Sequence, residues 1–246
     1  DAFWDCYNLT VVCVDDISSW ITTDVRTSFF VGWKLYVEDA PVRKVTIPQG
    51  VSEISNNFTG CVSIEEVAVP NWVTSLGERA FSGCRGLKNI TFGNGIETLP
   101  KSVCQNCSSL EFVALGDSFT AIDDDAFANC ENLTNVNIPN NVTYIDSFAF
   151  IACRQITDIV IPEGVTTIKT SSFNGCWRLT GVTIPNSVTS IETNAFRACR
   201  QLTNIDIPNN VTSIGNYAFA GSSGLTSIDI PNSVTSIGYG AFSGCT

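Results

Sequence analysis

The residue types that most often do chemistry in proteins are either absent from this sequence or part of a repeat. The chain has no histidine, which excludes Ser–His and Cys–His nucleophile systems. Its densest run of acids, Asp123-Asp124-Asp125, lies where a helical turn is predicted to begin, and no calcium-loop spacing follows it. Acids at that position match the helix dipole. We therefore interpret the run as structural and predict a protein that is not an enzyme and holds no metal ion or cofactor.

Nine of the eleven cysteines occupy one position of a repeat whose period is 23 residues from Cys61 onward. Coils of a parallel sheet lie about 4.8 Å apart, a spacing that permits disulfides between neighbours. Ser222 takes the same position without a thiol, so free buried thiols are favoured over disulfides. Cys104 lies in a slot that holds Phe in other repeats, and no zinc site is expected. The repeat cysteines are Cys6, Cys61, Cys84, Cys107, Cys130, Cys153, Cys176, Cys199 and Cys245.

A basic and aromatic cluster is one candidate for binding a partner. Arg154, Trp177 and Arg200 directly follow the repeat cysteine in successive repeats, so stacking would place them about 5 Å apart in a column. Arg178 and Arg197 lie beside them in the sequence. Arginine next to tryptophan permits cation–π contacts and carboxylate binding. Ordinary surface charge that offsets nearby acids is the alternative interpretation.

A second candidate is the exposed face of the predicted strands. Polar residues alternate there with buried aliphatic ones, and stacked repeats would join them into one broad surface, the kind through which solenoids commonly bind. A solvated face with no partner is the alternative. The candidate residues on this face are Phe112, Asn135, Asn137, Asp158, Asn204, Asp206 and Asp229.

The elements that position these residues follow from the repeat. Each repeat carries a short alternating strand, a proline or glycine that ends it, a turn, and a second short run of the form Val-Thr-x-Ile. A good N-cap residue and an inward-facing Ala-Phe pair come next, which predicts a short helical turn. The predicted fold is an α/β repeat solenoid: a leucine-rich-repeat stack with a parallel sheet on one face and helical turns and second strands on the other. The predicted N-cap residues are Asp124, Ser147, Thr170, Thr193 and Asn216.

The repeat is interrupted once near the start of the chain. Residues 1–14 fit one partial repeat, and residues 48–246 form regular repeats that stop within one. Between them, residues 15–47 are predicted to form an irregular insert with a hairpin between Leu35–Val37 and Val42–Ile47. The insert also contains Trp20, Phe29, Phe30 and Trp33. Because both ends fall inside repeats, we expect a piece of a longer protein.

The string A-F-x-x-C-x-x-L-T-x-V-x-I-P-x-x-V-T-x-I resembles the BspA-like leucine-rich repeats. The resemblance covers residues 1–14 and 41–246, and about ten positions recur in register. It implies a curved solenoid on a microbial cell surface or secreted, with adhesion to host matrix, other cells or soluble proteins. The resemblance implies no catalytic residues.

Composition narrows the class of partner. The net charge of −11 argues against binding to nucleic acid or an anionic membrane, and no run reaches the ~18 apolar residues of a membrane span. The sequence therefore predicts an extracellular or cell-surface module that recognises a protein or glycan. The alternative is a structural component that self-associates through open solenoid ends. Sequons for glycosylation occur at Asn8, Asn57, Asn89, Asn106, Asn132, Asn141 and Asn210.

Overall fold

Every repeat makes one turn of a coil, and successive coils stack with equivalent residues above one another. The computed structural model describes residues 9–23 and 32–246. Strands pair in parallel at an offset of 23 residues, as Glu66 pairs with Asn89 and Asn89 with Phe112. Lys44 pairs with Glu66 at an offset of 22, because the repeat between them is one residue short. The result is a β-solenoid of parallel coils.

The strands are short, and a single six-residue helix occurs among the described residues. In chain order the elements are β1 Val11–Val14, α1 Ile17–Thr22, β2 Lys34–Val37, β3 Ala40–Pro41, β4 Lys44–Thr46, β5 Glu53–Ile54, β6 Glu66–Val69, β7 Ser75–Leu76, β8 Asn89–Phe92, β9 Thr98–Leu99, β10 Phe112–Leu115, β11 Ala121–Ile122, β12 Asn135–Val136, β13 Tyr144–Ile145, β14 Asp158–Val160, β15 Thr167–Ile168, β16 Gly181–Thr183, β17 Ser190–Ile191, β18 Ser213–Ile214 and β19 Ser236–Ile237.

Two series of strands run along the stack, one from each half of the repeat. The first series forms a five-stranded sheet in the order β12-β10-β8-β6-β4 and a separate pair, β14-β16. The second series forms the sheets β5-β7, β13-β11-β9 and β15-β17-β18-β19. Residues 204–206 and 227–229, which are equivalent to first-series strands, form no strand. The predicted parallel sheet is therefore present but broken along its face.

The core is a column of phenylalanine rings along the axis of the stack. Its rings are nearly parallel, with neighbouring centroids 5.4–5.6 Å apart. Phe58 and Phe81 stack in the same way in earlier coils, and the buried Cys104 stands in the intervening slot. The prediction that this phenylalanine faces inward is confirmed. The continuous column contains Phe127, Phe150, Phe173, Phe196, Phe219 and Phe242.

The predicted helical turns are wrong. The residue after each predicted N-cap has a positive φ, such as +58° at Asp125 and +57° at Asn194, which an α-helix does not allow. Alternate backbone N–H groups also leave the local turn: Phe127 N donates to Ala149 O of the next coil at 2.8 Å. The N–H of Ala128 closes a turn onto Asp125 O at 3.0 Å. Because the segment divides its hydrogen bonds between tight turns and the neighbouring coil, no i to i−4 ladder forms.

The interruption near the start of the chain contains α1 and a hairpin. Asp16 caps α1 by accepting the Ser19 N–H at 2.8 Å. In the hairpin, β2 pairs antiparallel with β3, so the second arm lies at Ala40–Pro41 and not at Val42–Ile47. The run that follows instead supplies β4, which joins the main sheet beside β6. Residues 1–8, with Cys6, and residues 24–31, with Phe29 and Phe30, lie outside the described residues.

Buried cysteines form a second internal column, held by hydrogen bonds between coils. In each case the thiol donates to a main-chain carbonyl 26 residues earlier, as Cys176 Sγ does to Phe150 O at 3.3 Å. Ser222 Oγ makes the equivalent bond to Phe196 O at 2.8 Å, which explains why serine can replace cysteine there. All ten described cysteines are free, as predicted. The thiols that make this bond are those of Cys84, Cys107, Cys130, Cys153, Cys176, Cys199 and Cys245.

Candidate binding site

Trp177 lies between two guanidinium groups from the neighbouring coils. The Arg154 Cζ atom is 4.4 Å from the centroid of the Trp177 ring, and the Arg200 Cζ atom is 4.8 Å from it. Each of the three residues follows a buried column residue, Cys153, Cys176 or Cys199, whose position is set by the core. Stacking of identical repeats therefore brings together side chains that are 23 residues apart.

Backbone hydrogen bonds hold these three coils in register at the site. Arg178 N donates to Arg154 O at 3.3 Å, and Gln201 N donates to Trp177 O at 3.1 Å. Gly224 N continues the series to Arg200 O at 3.0 Å. The side chains are thus mounted on a rigid frame, and this limits the entropy that a ligand must remove on binding.

A depression of about 470 Å³ surrounds the tryptophan, and we call it the Trp177 site. Three arginines and a single glutamate line it, so its local charge is positive although the protein carries a net charge of −11. All eight lining residues carry planar side-chain groups that hydrogen-bond or stack, which suits a polar ligand. The lining residues are Glu131, Asn132, Arg154, Gln155, Trp177, Arg178, Arg200 and Gln201.

The arginines of the site differ in how far their charge is already satisfied. Arg154 Nη1 lies 3.0 Å from Glu131 Oε2 in an ion pair between adjacent coils. Arg178 Nη1 donates to the amide oxygen of Gln155 at 2.8 Å, which leaves its charge uncompensated. Arg200 has no ion pair within the described part of the chain. Two exposed guanidinium groups, Arg178 and Arg200, are therefore available to an anion.

Arg197 lies apart from the other four residues of the predicted cluster. It belongs to the turn segment before Cys199, and its Cζ atom is 6.0 Å from the ring centroid of Tyr217. It does not line the Trp177 site. Glu131, Asn132, Gln155 and Gln201 do line it and were not predicted from the sequence, although the repeat gives the signal. They hold the first or second position after the column cysteine, as the arginines do.

The second predicted surface is exposed but has few large side chains. Phe112, on β10, is 48 % exposed, and Asn135 on β12 and Asp158 on β14 follow it in the next two coils. Asn137 follows β12 and is also exposed. The remaining predicted residues lie on exposed segments that form no strand. The sheet on this face therefore contains fewer strands than predicted. They are Asn204, Asp206 and Asp229.

The Asp123-Asp124-Asp125 run lies at a turn and not at the start of a helix. Lys101 Nζ pairs with Asp124 Oδ2 at 2.7 Å between coils. Burial raises the pKa of Asp123, and the nearby carboxylate of Asp146 adds to that shift. Across residues 9–23 and 32–246, no group of three or more His, Cys, Asp or Glu side chains has the geometry to hold a metal ion.

One of the sequons is inaccessible. Asn57 is fully buried, and its amide Nδ2 donates to Trp20 O and Thr23 O, both at 2.8 Å. A glycan cannot be attached to it in the folded protein. Asn8 lies outside the described residues. The exposed sequon asparagines are Asn89, Asn106, Asn132, Asn141 and Asn210.

Comparison with known proteins identifies the repeat. The model of the "BspA type Leucine rich repeat region (6 copies)" matches residues 34–156 and 120–246. The chain belongs to the BspA-type leucine-rich repeat family. The match confirms the resemblance to this family, and leucine-rich repeat proteins are generally non-enzymatic. No curated protein matches the sequence.

Solved structures of bacterial leucine-rich repeat proteins are similar to this BspA-type chain. A protein from Bacteroides ovatus is 24% identical with a TM-score of 0.58, and the match covers 98% of this chain and 77% of that one. A leucine rich cell surface protein from Faecalibacterium prausnitzii is 29% identical with a TM-score of 0.56, covering 82% and 67%. The T. pallidum leucine-rich repeat protein is 22% identical with a TM-score of 0.56, covering 82% and 91%. These likenesses support the coil-stack fold.

The described residues contain no candidate for a membrane-spanning helix. The one helix there, α1, has six residues, whereas a span needs about 20.

Proposed function

We propose that this chain is a binding module, at a cell surface or secreted, that recognises a protein or glycan through the Trp177 site. The observation that carries the proposal is the Arg154–Trp177–Arg200 column beside a depression, together with the uncompensated guanidinium groups of Arg178 and Arg200. Aromatic and arginine side chains are over-represented where proteins bind tightly. The protein has a net charge of −11, so most of its surface repels an anionic partner. The positive Trp177 site attracts such a partner and directs it to this place.

Two further observations support a binding module at a cell surface. The chain belongs to a family of repeats, which offer extended surfaces and are typical of binding proteins. The F. prausnitzii protein that is 29% identical is described as a leucine rich cell surface protein. We extend that location to this chain as part of the proposal.

The proposal is tested by reversing the two free charges of the site. The chain is immobilised and exposed to cell-surface extracts of host and of neighbouring bacteria, and bound mass is followed by biolayer interferometry. Arg178→Glu with Arg200→Glu should reduce binding at least about tenfold, because each guanidinium would contribute a charged hydrogen bond. Melting temperature should not change, since both side chains are exposed.

Arg85→Glu is the matched control. Arg85 holds the slot of Arg154, Trp177 and Arg200 in an earlier coil, so its reversal makes half the change in net charge without touching the Trp177 site. It should leave binding unchanged. Equal binding by the double variant and the unmodified chain would remove the Trp177 site as the point of contact, and no binding to any extract would reject a binding module.

A structural role in a self-associating layer is the second candidate. Ile237 is 51 % exposed and Tyr239 is 76 % exposed in the last coil, positions that a following coil would cover. That coil can belong to the same chain or to another copy. Light scattering over a wide concentration range separates the two functions: growth in mass with concentration supports assembly, and a constant monomer mass contradicts it.

A further inference from the structure

Neighbouring guanidinium groups stack on the indole of Trp177, and this restricts what the Trp177 site can bind. Arg154 comes from the coil before and Arg200 from the coil after, at 4.4 and 4.8 Å from the ring centroid. A neutral sugar ring or an apolar side chain would need a free aromatic face for stacking. The arrangement instead uses the indole to orient the two guanidinium groups, so that a ligand meets their edges.

The exposed edges of the guanidinium groups are well suited to binding carboxylates. Arg154 already forms an ion pair with Glu131, whereas Arg178 and Arg200 make no ion pair within the described residues. A guanidinium presents parallel N–H donors that match the two oxygens of a carboxylate. Arg178 and Arg200 come from adjacent coils, so their charges act on the same small region. The site is therefore built for at least one anionic group.

The rest of the lining matches hydroxyl groups. Asn132, Gln155 and Gln201 contribute amides, each of which has both a donor and an acceptor. The Gln155 oxygen accepts from Arg178, which leaves its NH2 group to donate. The lining contains no aliphatic side chain and no hydrophobic pocket, so an apolar peptide anchor finds no place to insert. A ligand that combines carboxylates with many hydroxyls satisfies the whole set.

We propose that the Trp177 site binds an acidic glycan, a chain of uronate sugars. Arg178 and Arg200 hold a carboxylate, and Asn132, Gln155 and Gln201 bond to ring hydroxyls. The inference rests on the proposed function and specifies the ligand class of that site.

Isothermal titration calorimetry of the full chain tests the ligand class directly. Three probes of similar length are compared: oligogalacturonate, the neutral oligogalactose of the same linkage, and an oligo-aspartate peptide. Oligogalacturonate should bind, and the other two should bind at least about tenfold more weakly, because each lacks one of the two recognised groups. Binding should also weaken with added salt, since the recognised group is charged.

Single substitutions assign the groups within the site. Arg178→Gln and Arg200→Gln should each weaken oligogalacturonate binding about tenfold. Gln201→Leu should weaken it severalfold by removing a hydroxyl partner, with the melting temperature unchanged because the residue is exposed. Arg85→Gln, in the equivalent slot outside the site, should bind as the unmodified chain does.

The outcomes separate this inference from the proposed function. Equal affinity for oligo-aspartate would overturn it in favour of an acidic peptide, and equal affinity for oligogalactose would overturn the role of the carboxylate. If no uronate binds while surface extracts still bind in a manner that depends on Arg178 and Arg200, the glycan assignment fails and the proposed function stands. If neither binds, both fail.

Discussion

Phe196 lies between the rings of Phe173 and Phe219, 5.5 and 5.6 Å from their centroids. It is fully buried, as are both of its neighbours. The ring therefore contributes apolar burial and stacking on both faces, and the coils above and below cannot close a gap without leaving their shared register.

Phe196→Ala should reduce the free energy of unfolding by about 3–5 kcal/mol, because it leaves a cavity in the core column. Urea unfolding followed by circular dichroism measures the change. Phe242→Ala is the matched control: Phe242 stacks on Phe219 alone and is half-buried, so its loss should be smaller. Equal losses at the two positions would contradict a role for stacking on both faces.

The cysteine slot is a hydrogen-bonding position and not only a small apolar one. Cys176→Ser should be less destabilising than Cys176→Ala by about 1 kcal/mol, because serine keeps the donor to Phe150 O, as Ser222 does to Phe196 O. Comparison of urea midpoints at equal m-values measures the difference. An alanine variant as stable as the serine variant would show that the thiol bond contributes nothing.

At the scale of elements, hydrogen bonds between Asn57 and α1 attach the helix to the first coils. Asn57 donates from Nδ2 to Trp20 O and Thr23 O, at the carboxyl end of α1, and Trp20 Nε1 returns a bond to Asn57 O at 3.2 Å. The rings of Trp20 and Trp33 lie 5.6 Å apart beneath the helix. The insert thus covers the side of the neighbouring coil with buried aromatic residues.

Asn57→Ala should release α1, because it removes the donors to Trp20 O and Thr23 O, and leaving the buried Trp20 carbonyl without its partner costs about 1–3 kcal/mol. Hydrogen exchange should increase over residues 17–23 while the coils beyond β6 stay protected. Asn141→Ala is the control, since Asn141 makes a similar 2.8 Å bond to Asp117 O but is exposed. Uniformly faster exchange along the whole chain would mean that the insert and the coils unfold together.

At the scale of the whole molecule, the cysteine column makes stability depend on alkaline pH. Burial raises the pKa of the Cys176 thiol from its ordinary 9.0 to about 12, and burial also raises the pKa values of Cys153 and Cys199 well above 9.0. Above pH 9 these thiols ionise in the unfolded chain but stay protonated in the folded one. Their contribution to stability is therefore complete below pH 9 and is lost as the pH rises toward about 12.

The free energy of unfolding should fall above pH 9 by up to about 1.4 kcal/mol per pH unit for each thiol whose pKa is raised by burial. Urea unfolding from pH 8 to 11 under reducing conditions measures the slope. Cys153→Ser with Cys176→Ser should reduce the slope by the share of these two thiols, because serine does not ionise in this range, while their effect at pH 7 stays small. A slope unchanged by the two substitutions would assign the alkaline loss to other groups.

Most of the fold could be predicted from the 23-residue period of the sequence. Because every coil contains the same number of residues, equivalent side chains must stack, and the phenylalanine and cysteine columns followed from the spacing alone. The turn segment was wrong for a local reason. The N-cap residues predict a helix in a single repeat, but the positive φ values at Asp125 and Asn194 and the bonds to the next coil depend on the neighbouring coil.

The sequence alone determined the stack, its register and the approach of Arg154, Trp177 and Arg200, since a fixed period leaves those residues no other place. Only the tertiary structure decided that Arg197 points elsewhere, that Glu131 neutralises Arg154, and that three amides complete the Trp177 site. The physical reason is that the period sets where each backbone slot lies, whereas rotamers, ion pairs and burial depend on side chains from adjacent coils.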